Sequence, residues 1–522
     1  MQKMKKNNKK CDFLILGAQE PIQSRLTDNS NVFRGIPPYF MPYGRDFIRI
    51  SQKAYSFPAY AIPILAGILR KLHFSVSCIN DFYSDNPAAA REKIKKTRYA
   101  VFISTTFLTK KRSITDVAKF VRDANPAVKI VMGGAGIVNF PGARRFADIN
   151  IFYEGEDTVA ELAPLLSGRR AISRVKGISY FNGTKEISMP RRDCIKDLGR
   201  LTLPDWRTLS RKVREEKYLP IESSRGCIGN CSFCLETKYW PGVRFYPVDR
   251  VIREIKENIK RFGIRFYYFQ DSNISNSRAY LTRLIEAIRD EQLKITWSCE
   301  SRIDTVTEEL VAKMRNSGCR AITFGMESAD ERVLRNMNKP MTDKKMKSFS
   351  SIVRSMRREG MLANINVIVG FPGEDKKSIE KTIQFLLETE PITYSMSKFF
   401  LEKGTGIWKA RKKFSLKGSM YKWTHTTMKS GELDGLLRHM FLSVSRGSRI
   451  YHWPSASVDL IRHMGKGKSF SGFVKYLKSV NHICAEDLDR KKNEYSRRYN
   501  DSMRDITDYL TRWPRNAMKR SM

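Results

Sequence analysis

The sequence predicts an α/β protein in three parts: two consecutive domains built on parallel sheets, then a basic, mainly helical C-terminal region. Three observations lead there. Short apolar runs alternate with helix-period stretches between residues 11 and about 165, and again between 216 and about 402. Such strand–helix alternation makes parallel sheets with helices packed on both faces. Residues 166–215 interrupt the alternation with a turn-rich connector, and residues 403–522 lack it.

In the first stretch, read as 1–165, the strands are expected at Asp12–Gly17, Ser75–Asn80, Ala100–Ser104, Lys129–Gly133 and Ile149–Tyr153, with helices such as Pro58–Leu72 and Ile114–Asp123 between them. Gly17, Gly133, Gly134 and Gly155 fall at or just after strand ends. Ligands of parallel sheets bind at those ends, where glycine lets backbone approach closely. The connector, 166–215, holds a hairpin over Gly177–Ser188 around Asn182-Gly183 and then Leu203-Pro204-Asp205-Trp206.

In the third stretch, 216–402, strands are expected at Tyr218–Ser223, Phe266–Gln270, Ile295–Cys299, Ala321–Gly325, Ile365–Val369 and Ser395–Phe400. Helices fit at Val248–Arg261, Tyr280–Asp290, Thr307–Asn316 and Thr342–Glu359. Six β/α units make an open or partial barrel, not a complete eight-fold one. Residues 403–522 are expected to cap the barrel mouth as a helical lid.

Composition bounds the function. Of 522 residues, 41% are hydrophobic and 11% aromatic, which excludes a disordered chain. No apolar run approaches the roughly 20 residues of a membrane span, and a cytoplasmic protein is expected. Lys plus Arg number 95 against 54 Asp plus Glu, a net charge of +41. That field suits an anionic small-molecule substrate. The positive charges are spread along the whole chain, so a generally basic surface is preferred to a nucleic-acid site.

Three of the nine cysteines cluster, as Cys227, Cys231 and Cys234 in Arg225-Gly226-Cys227-Ile228-Gly229-Asn230-Cys231-Ser232-Phe233-Cys234. The odd total argues against a disulfide framework. Soft thiolates suit zinc or an iron–sulfur cluster. A structural zinc closes with a fourth ligand at short spacing, but no Cys or His lies between Cys234 and Cys299. Three cysteines on a four-iron cluster leave one iron open.

This Cys-x3-Cys-x2-Cys loop after a first barrel strand resembles the radical S-adenosylmethionine (SAM) superfamily. The resemblance extends over residues 216–410: Phe269-Gln270-Asp271-Ser272, Cys299-Glu300-Ser301-Arg302, Phe324-Gly325-Met326-Glu327-Ser328, Asn338-Lys339, Val369-Gly370-Phe371-Pro372-Gly373-Glu374 and Gly404-Thr405-Gly406 follow in the family's order. It implies a 4Fe-4S cluster on Cys227, Cys231 and Cys234 whose open iron binds SAM. Reductive cleavage of SAM then yields a 5′-deoxyadenosyl radical that abstracts hydrogen. It implies SAM contacts near Phe233 and from Asp271, Ser301, Arg302 and Glu327. It also implies an electron donor such as flavodoxin or ferredoxin.

The first domain resembles the Rossmann-like cobalamin-binding domain that precedes many radical SAM enzymes. Ser104-Thr105-Thr106 and, after 26 residues, Gly133-Gly134 match its turn motifs, with Thr106 where the family has Leu. The cobalt-ligating Asp-x-His-x-x-Gly motif is absent: Leu16-Gly17-Ala18-Gln19-Glu20-Pro21 stands after the first strand. The resemblance implies cobalamin contacts from Gly17, Ser104, Thr105, Thr106, Gly133, Gly134 and Gly155. The expected activity is cobalamin-dependent methyl transfer to an unactivated carbon or phosphorus centre. The alternative is a non-methylating cyclisation, rearrangement or oxidation. A tRNA-modifying enzyme would need a second cysteine triad near the N-terminus, where only Cys11 and Cys78 stand, with Cys194 in the connector.

Overall fold

The computed structural model describes residues 10–19, 60–83, 86–445, 450–451, 456–489, 501–502, 504–506 and 509. The other parts of stretches 1–165 and 403–522, including Pro58 and Ala59 at the start of the first expected helix, lie outside the described residues. The chain divides near residue 215 into two compact units.

The first unit is a seven-stranded sheet. Its strands are β1 (Cys11–Gln19), β2 (Val76–Ile79), β3 (Thr97–Phe107), β4 (Lys129–Gly133), β5 (Ile149–Ile151), β6 (Ile178–Asn182) and β7 (Lys185–Ser188), in the order β2-β1-β3-β4-β5-β6-β7. The first five pair in parallel. Phe13 to Leu16 are at most 1% exposed, the continuous apolar run of a strand covered on both faces. Helix Lys111–Ala124 turns Ile114, Val117, Ala118 and Val121 into that core, at helical spacing.

The hairpin expected within the connector is present and joins this sheet. β6 pairs antiparallel with β5, so β6 and β7 extend the sheet. Ile178 and Ser179 are fully buried there, and the pairing covers an edge that β5 would otherwise expose. The rest of the connector is docked too. The Asp205 amide donates to the Pro63 carbonyl at 2.8 Å, and Asp205 pairs with Arg70.

The second unit holds β8 (Leu219–Ile221), the two-residue β9 (Ser224–Arg225) and β10 (Arg244–Phe245), then β11 (Phe266–Phe269), β12 (Thr296–Arg302), β13 (Cys319–Glu327), β14 (Leu362–Val369) and β15 (Thr393–Lys398). Its C-terminal part adds β16 (Lys417–Ser419), β17 (Lys422–His425), β18 (Met428–Lys429) and β19 (Ile450–Tyr451). The main sheet runs β8-β11-β12-β13-β14-β15-β19, with every pair parallel. The partial barrel therefore has six long-range β/α strands and a seventh, two-residue strand from the region expected to lack strands. Helices Val248–Phe262, Arg278–Asp290, Glu308–Asn316, Asp343–Arg358 and Lys376–Thr389 connect successive strands.

The region expected as one helical lid divides between the two barrel ends. The antiparallel β16-β17-β18 sheet lies at the C-terminal strand ends, where the Trp423 indole donates to the Phe399 carbonyl at 3.0 Å. Helices Ala456–Gly465 and Phe470–Asp489 go to the opposite end. There Ala456, Leu460, Phe473 and Leu477 pack with Ala321, Leu362, Ile392 and Ile450, which stand at or beside strand starts. The physical reason is the apolar surface those strand starts would otherwise expose. Arg462 and Lys466 both reach the buried Glu216 carboxylate, at 2.6 and 3.2 Å. Among the described residues, no helix is long and apolar enough to cross a membrane.

Candidate functional site

The cysteine loop leaves the barrel directly after β8 and is closed at its base by the β9–β10 pair. Gly226 begins it at φ +84°, and a Cβ there would sit 2.1 Å from the Gly242 carbonyl oxygen. Only glycine fits that turn. The loop is then pinned from several sides. The Asn276 amide donates to the Gly226 carbonyl at 2.9 Å, and its oxygen accepts from the Ile228 N–H at 3.1 Å. Ser232 donates from its N–H to the Met337 carbonyl and from its hydroxyl to the Asn336 carbonyl. The Asn338 amide donates to the Asn230 carbonyl at 2.7 Å, and the Ile407 N–H donates to the Ser232 carbonyl at 2.7 Å. Phe233 meets the ring of Phe371 edge-on, which itself packs on Phe399.

The sulfurs are tended by backbone. Gly229 donates to Cys227 Sγ and Glu236 to Cys234 Sγ, each at 3.3 Å. Burial raises the Cys227 thiol above its ordinary range, so metal binding there is coupled to loss of a proton. Arg302 Nη1 donates to Cys231 Sγ at 3.1 Å. A Cβ on Gly229 would lie 2.4 Å from that same nitrogen, so the close approach depends on glycine. Among the described residues, no three His, Cys, Asp or Glu side chains gather tightly enough for a single metal ion. An all-thiol donor set on one pinned loop fits an iron–sulfur cluster, in which each thiolate takes its own iron.

Glu327 ends β13 on a bulge, with the register shifting between Gly325 and Glu327. Its φ is +75°, an uncommon conformation for a residue with a side chain. The buried Lys339 ammonium meets its carboxylate at 3.2 Å and the Gly325 carbonyl at 2.6 Å. Arg302 and Glu327 thus stand at the same rim as the cysteine loop.

Asp271 and Ser301 do not offer free groups to that rim. Asp271 is 2% exposed and accepts from the Ser223 N–H and from both the Ser223 and Ser224 hydroxyls. Burial pushes its carboxyl up to about 6. Ser301 faces away from Glu300 and Arg302 and hydrogen-bonds Ser275 and Asn273. Both hold the strand ends that carry the loop, because alternation along β12 puts 300 and 302 on one face and 301 on the other. Residues missed from sequence are Asn276, Asn336 and Asn338, along with Asp304, which grips Arg302. Asn338-Lys339 stood within a recognised motif, but nothing local marked Asn276.

In the first unit, Gly17 pairs with Ser104, Ser104 with Gly133 and Gly133 with Ile151 across one sheet edge. Gly17, expected to contact a cofactor, is instead buried, with the Asn80 carbonyl oxygen 2.3 Å from where a Cβ would stand, while Ser104, Gly133 and Gly134 remain partly exposed at the C-terminal strand ends. The Thr105 hydroxyl donates to the Gly133 carbonyl at 2.8 Å and accepts from the Ile137 N–H at 3.2 Å. Thr105 is fully buried and braces the Gly-Gly turn instead of facing outward. Gly134 has φ +101°, and a Cβ there would meet Thr106 Oγ1 at 2.5 Å. Thr106 is exposed, as is Phe107 beside it. Gly155 stands apart from this register, as the N-cap of helix Glu156–Ser167. His73 occupies a turn at φ +63°. The partly exposed Ser104, Gly133 and Gly134, with glycine forced at the tightest turn, fit the close approach of a large planar cofactor.

Residues 221–386 match the family profile described as the radical SAM superfamily, and residues 50–163 match that of the B12 binding domain. The chain is 26% identical over 434 residues to an uncharacterized methyltransferase of Pyrococcus horikoshii, covering 78% of this chain and 91% of that one. It is 25% identical over 363 residues to an anaerobic magnesium-protoporphyrin IX monomethyl ester cyclase of Rubrivivax gelatinosus, covering 65% of this chain and 64% of that one. Among solved structures it resembles the radical SAM methyltransferase TsrM of Kitasatospora setae with cobalamin and a [4Fe-4S] cluster bound. That match has a TM-score of 0.66 at 12% identity and covers 92% of this chain and all 100% of that one. The cofactors are accordingly a 4Fe-4S cluster, SAM and cobalamin. Residues 221–386, with the three-cysteine loop on a partial barrel, are thus a radical SAM domain, and residues 50–163 a B12-binding domain preceding it in the sequence.

Proposed function

We propose that this enzyme is a methyltransferase acting on an unactivated carbon or phosphorus centre of a small molecule. The observation that carries this reading is the similarity, along 78% of the chain and so across both units, to a protein described as an uncharacterized methyltransferase. The cluster and SAM supply a carbon radical able to take a hydrogen atom, and cobalamin supplies a methyl carrier. The chain's own groups hold and orient. Cys227, Cys231 and Cys234 supply three thiolates and leave a fourth coordination position unclaimed by protein. Arg302 places a fixed positive charge beside Cys231. Glu327, held by Lys339, presents a carboxylate at the rim suited to an ammonium group. Asp271 and Ser301 brace the strand ends beneath these groups, and in the first unit Thr105 braces the Gly133-Gly134 turn. A low-potential donor of the flavodoxin or ferredoxin kind would deliver the electron.

The test is anaerobic reconstitution with iron, sulfide and hydroxocobalamin, followed by turnover with methyl-labelled SAM, a strong reductant and a small-molecule extract. The expected result is S-adenosylhomocysteine and 5′-deoxyadenosine together, with label in a new small molecule. A labelled product without 5′-deoxyadenosine overturns the radical route. The cyclase relative supports a second reading, a non-methylating reaction of the same cofactors. A cobalamin-dependent product that gains no label would favour it.

A further inference from the structure

Barrel interiors are ordinarily packed with branched apolar side chains. This one is polar. Along β12 the alternating residues Ser298, Glu300 and Arg302 share the inner face, while Trp297 and Cys299 are buried on the outer one. Parallel register sets Glu300 beside Thr323 and Thr323 beside Asn364. The floor is closed by helix Ala456–Gly465, whose Ser457 hydroxyl lies 2.9 Å from that of Thr323.

Just above this floor stand polar groups without a full set of partners. Glu300 accepts the Tyr268 hydroxyl at 2.9 Å and keeps part of its surface open to the lumen. Among the described residues no Lys, Arg or His forms an ion pair with it. The nearby Arg302 is taken by Asp304, and Lys339 by Glu327. Asn364 is fully buried. Its Nδ2 donates to Asn366 Oδ1 at 2.8 Å and to Ser395 Oγ at 3.0 Å, but its Oδ1 has no hydrogen-bond partner. Ser298 Oγ, buried on the same inner face, has none either. Such orphaned buried groups are uncommon and unfavourable unless something meets them.

We propose that this lumen is the substrate pocket, and that it receives a cationic, donor-rich nitrogen group (an amine, amidine or guanidine) on Glu300 and the Asn364 carbonyl. The assignment rests on the radical SAM reading of the rim. It runs against the anionic substrate that the net charge of +41 suggests, because in the lumen Arg302 and Lys339 are paired with carboxylates while Glu300, among the described residues, has no cationic partner. Glu300 lies one pleat deeper than Arg302, below the rim where Cys231 and Glu327 stand. Burial, with Glu327 and Glu236 adding to it, holds Glu300 above the ordinary carboxylate range. A cation bound beside it would relieve that cost.

The test titrates the reconstituted full chain with 1,4-diaminobutane and, as a charge-reversed probe of equal carbon length, with succinate. Binding is read by calorimetry and saturation-transfer NMR, with and without SAM. Diaminobutane should bind saturably in both conditions and succinate should not. Glu300→Gln should weaken diaminobutane at least tenfold while retaining cluster iron, and Asn364→Asp should tighten it. The proposal is overturned by binding of neither probe, by succinate binding as well as the diamine, or by an affinity that Glu300→Gln leaves unchanged. Displacement of the diamine by SAM would also overturn it, assigning the acceptors to the cofactor. Reductive cleavage of SAM is measured on the same preparation. If cleavage persists while diamine binding fails, only the substrate class falls. If cleavage is absent, the enzyme reading itself falls.

Discussion

The Arg302 guanidinium donates from Nη1 to Cys231 Sγ at 3.1 Å, while Asp304 accepts from its Nε and Nη2 at 2.8 and 2.6 Å. The two-point carboxylate clamp fixes the guanidinium plane, and only then does the third nitrogen aim at the sulfur. Against the cost of its burial, Asp304 is held below its ordinary range by Arg302. Asp304→Asn should therefore loosen Arg302 and lower cluster retention about tenfold, the lower end of what outer-shell partners of metal ligands contribute. Iron per chain and cluster absorbance after desalting read this out. Arg302→Lys should not rescue it, since one ammonium cannot grip Asp304 bidentately and also reach Cys231.

Glu327 combines a left-handed backbone, a bulge and a buried lysine partner. The bulge turns its carboxylate toward the rim, and Lys339 keeps it there. Glu327→Gln preserves the shape and removes the charge. It should weaken SAM binding roughly 10- to 100-fold, the value of about 1.5–3 kcal/mol for a charge-assisted hydrogen bond, with iron content unchanged. Equilibrium dialysis with SAM, beside an iron assay, separates the two effects.

The Gly-Gly turn of the first unit separates protein strain from ligand contact. Gly134→Ala places a Cβ 2.5 Å from Thr106 Oγ1 and 2.8 Å from the Thr106 nitrogen, at a φ of +101°. It should abolish retention of cobalamin on desalting and leave the cluster intact. A Cβ on Gly133 meets nothing closer than the Ile151 carbonyl oxygen, at 3.7 Å, so the protein itself tolerates Gly133→Ala. A loss of cobalamin in that variant would report contact between residue 133 and the cofactor.

Much of this architecture was legible because each signal is local. Phe13–Leu16 reads as a buried strand in isolation, and the cysteine spacing needs only eight consecutive residues, 227–234. What escaped depends on register or on distant partners. Ser301 and Asp271 sat in the right motifs, but which residue of an alternating strand faces the lumen is fixed by pairing. Asn276 and Asp304 act on a loop and an arginine through geometry that no spacing announces. β19 is two residues long and exists only because Ile450 and Tyr451 meet Thr393 and Tyr394. The floor helix is recognisable only once the strand starts it covers are in place.

Glu374 gives the barrel a pH dependence whose sign is fixed. It is 1% exposed and accepts from the Gly370 N–H, and burial pushes its carboxyl from 4.5 up to about 8. A folded-state pKa above the unfolded one means that the folded chain holds the proton more tightly. Its stabilising effect is complete below pH 4.5 and is lost as pH rises toward about 8. His425, whose Nε2 lies 3.1 Å from the Gly370 carbonyl, is lowered from 6.5 by burial and works in the opposite direction, at lower pH. The interval from pH 6.5 to 8 therefore isolates Glu374 at this turn. There Glu374 should contribute a fall in the stability of the second unit of up to about 1.4 kcal/mol per pH unit, the limit for one proton, on top of the fall from Glu254, which burial also raises to about 8. Glu374→Gln keeps an oxygen for the Gly370 N–H and cannot ionise. Urea unfolding at several pH values across that interval should show a falling midpoint in the parent and a flatter one in the variant. Equal slopes would mean that Glu374 is already ionised when folded, with the turn's N–H groups outweighing its burial.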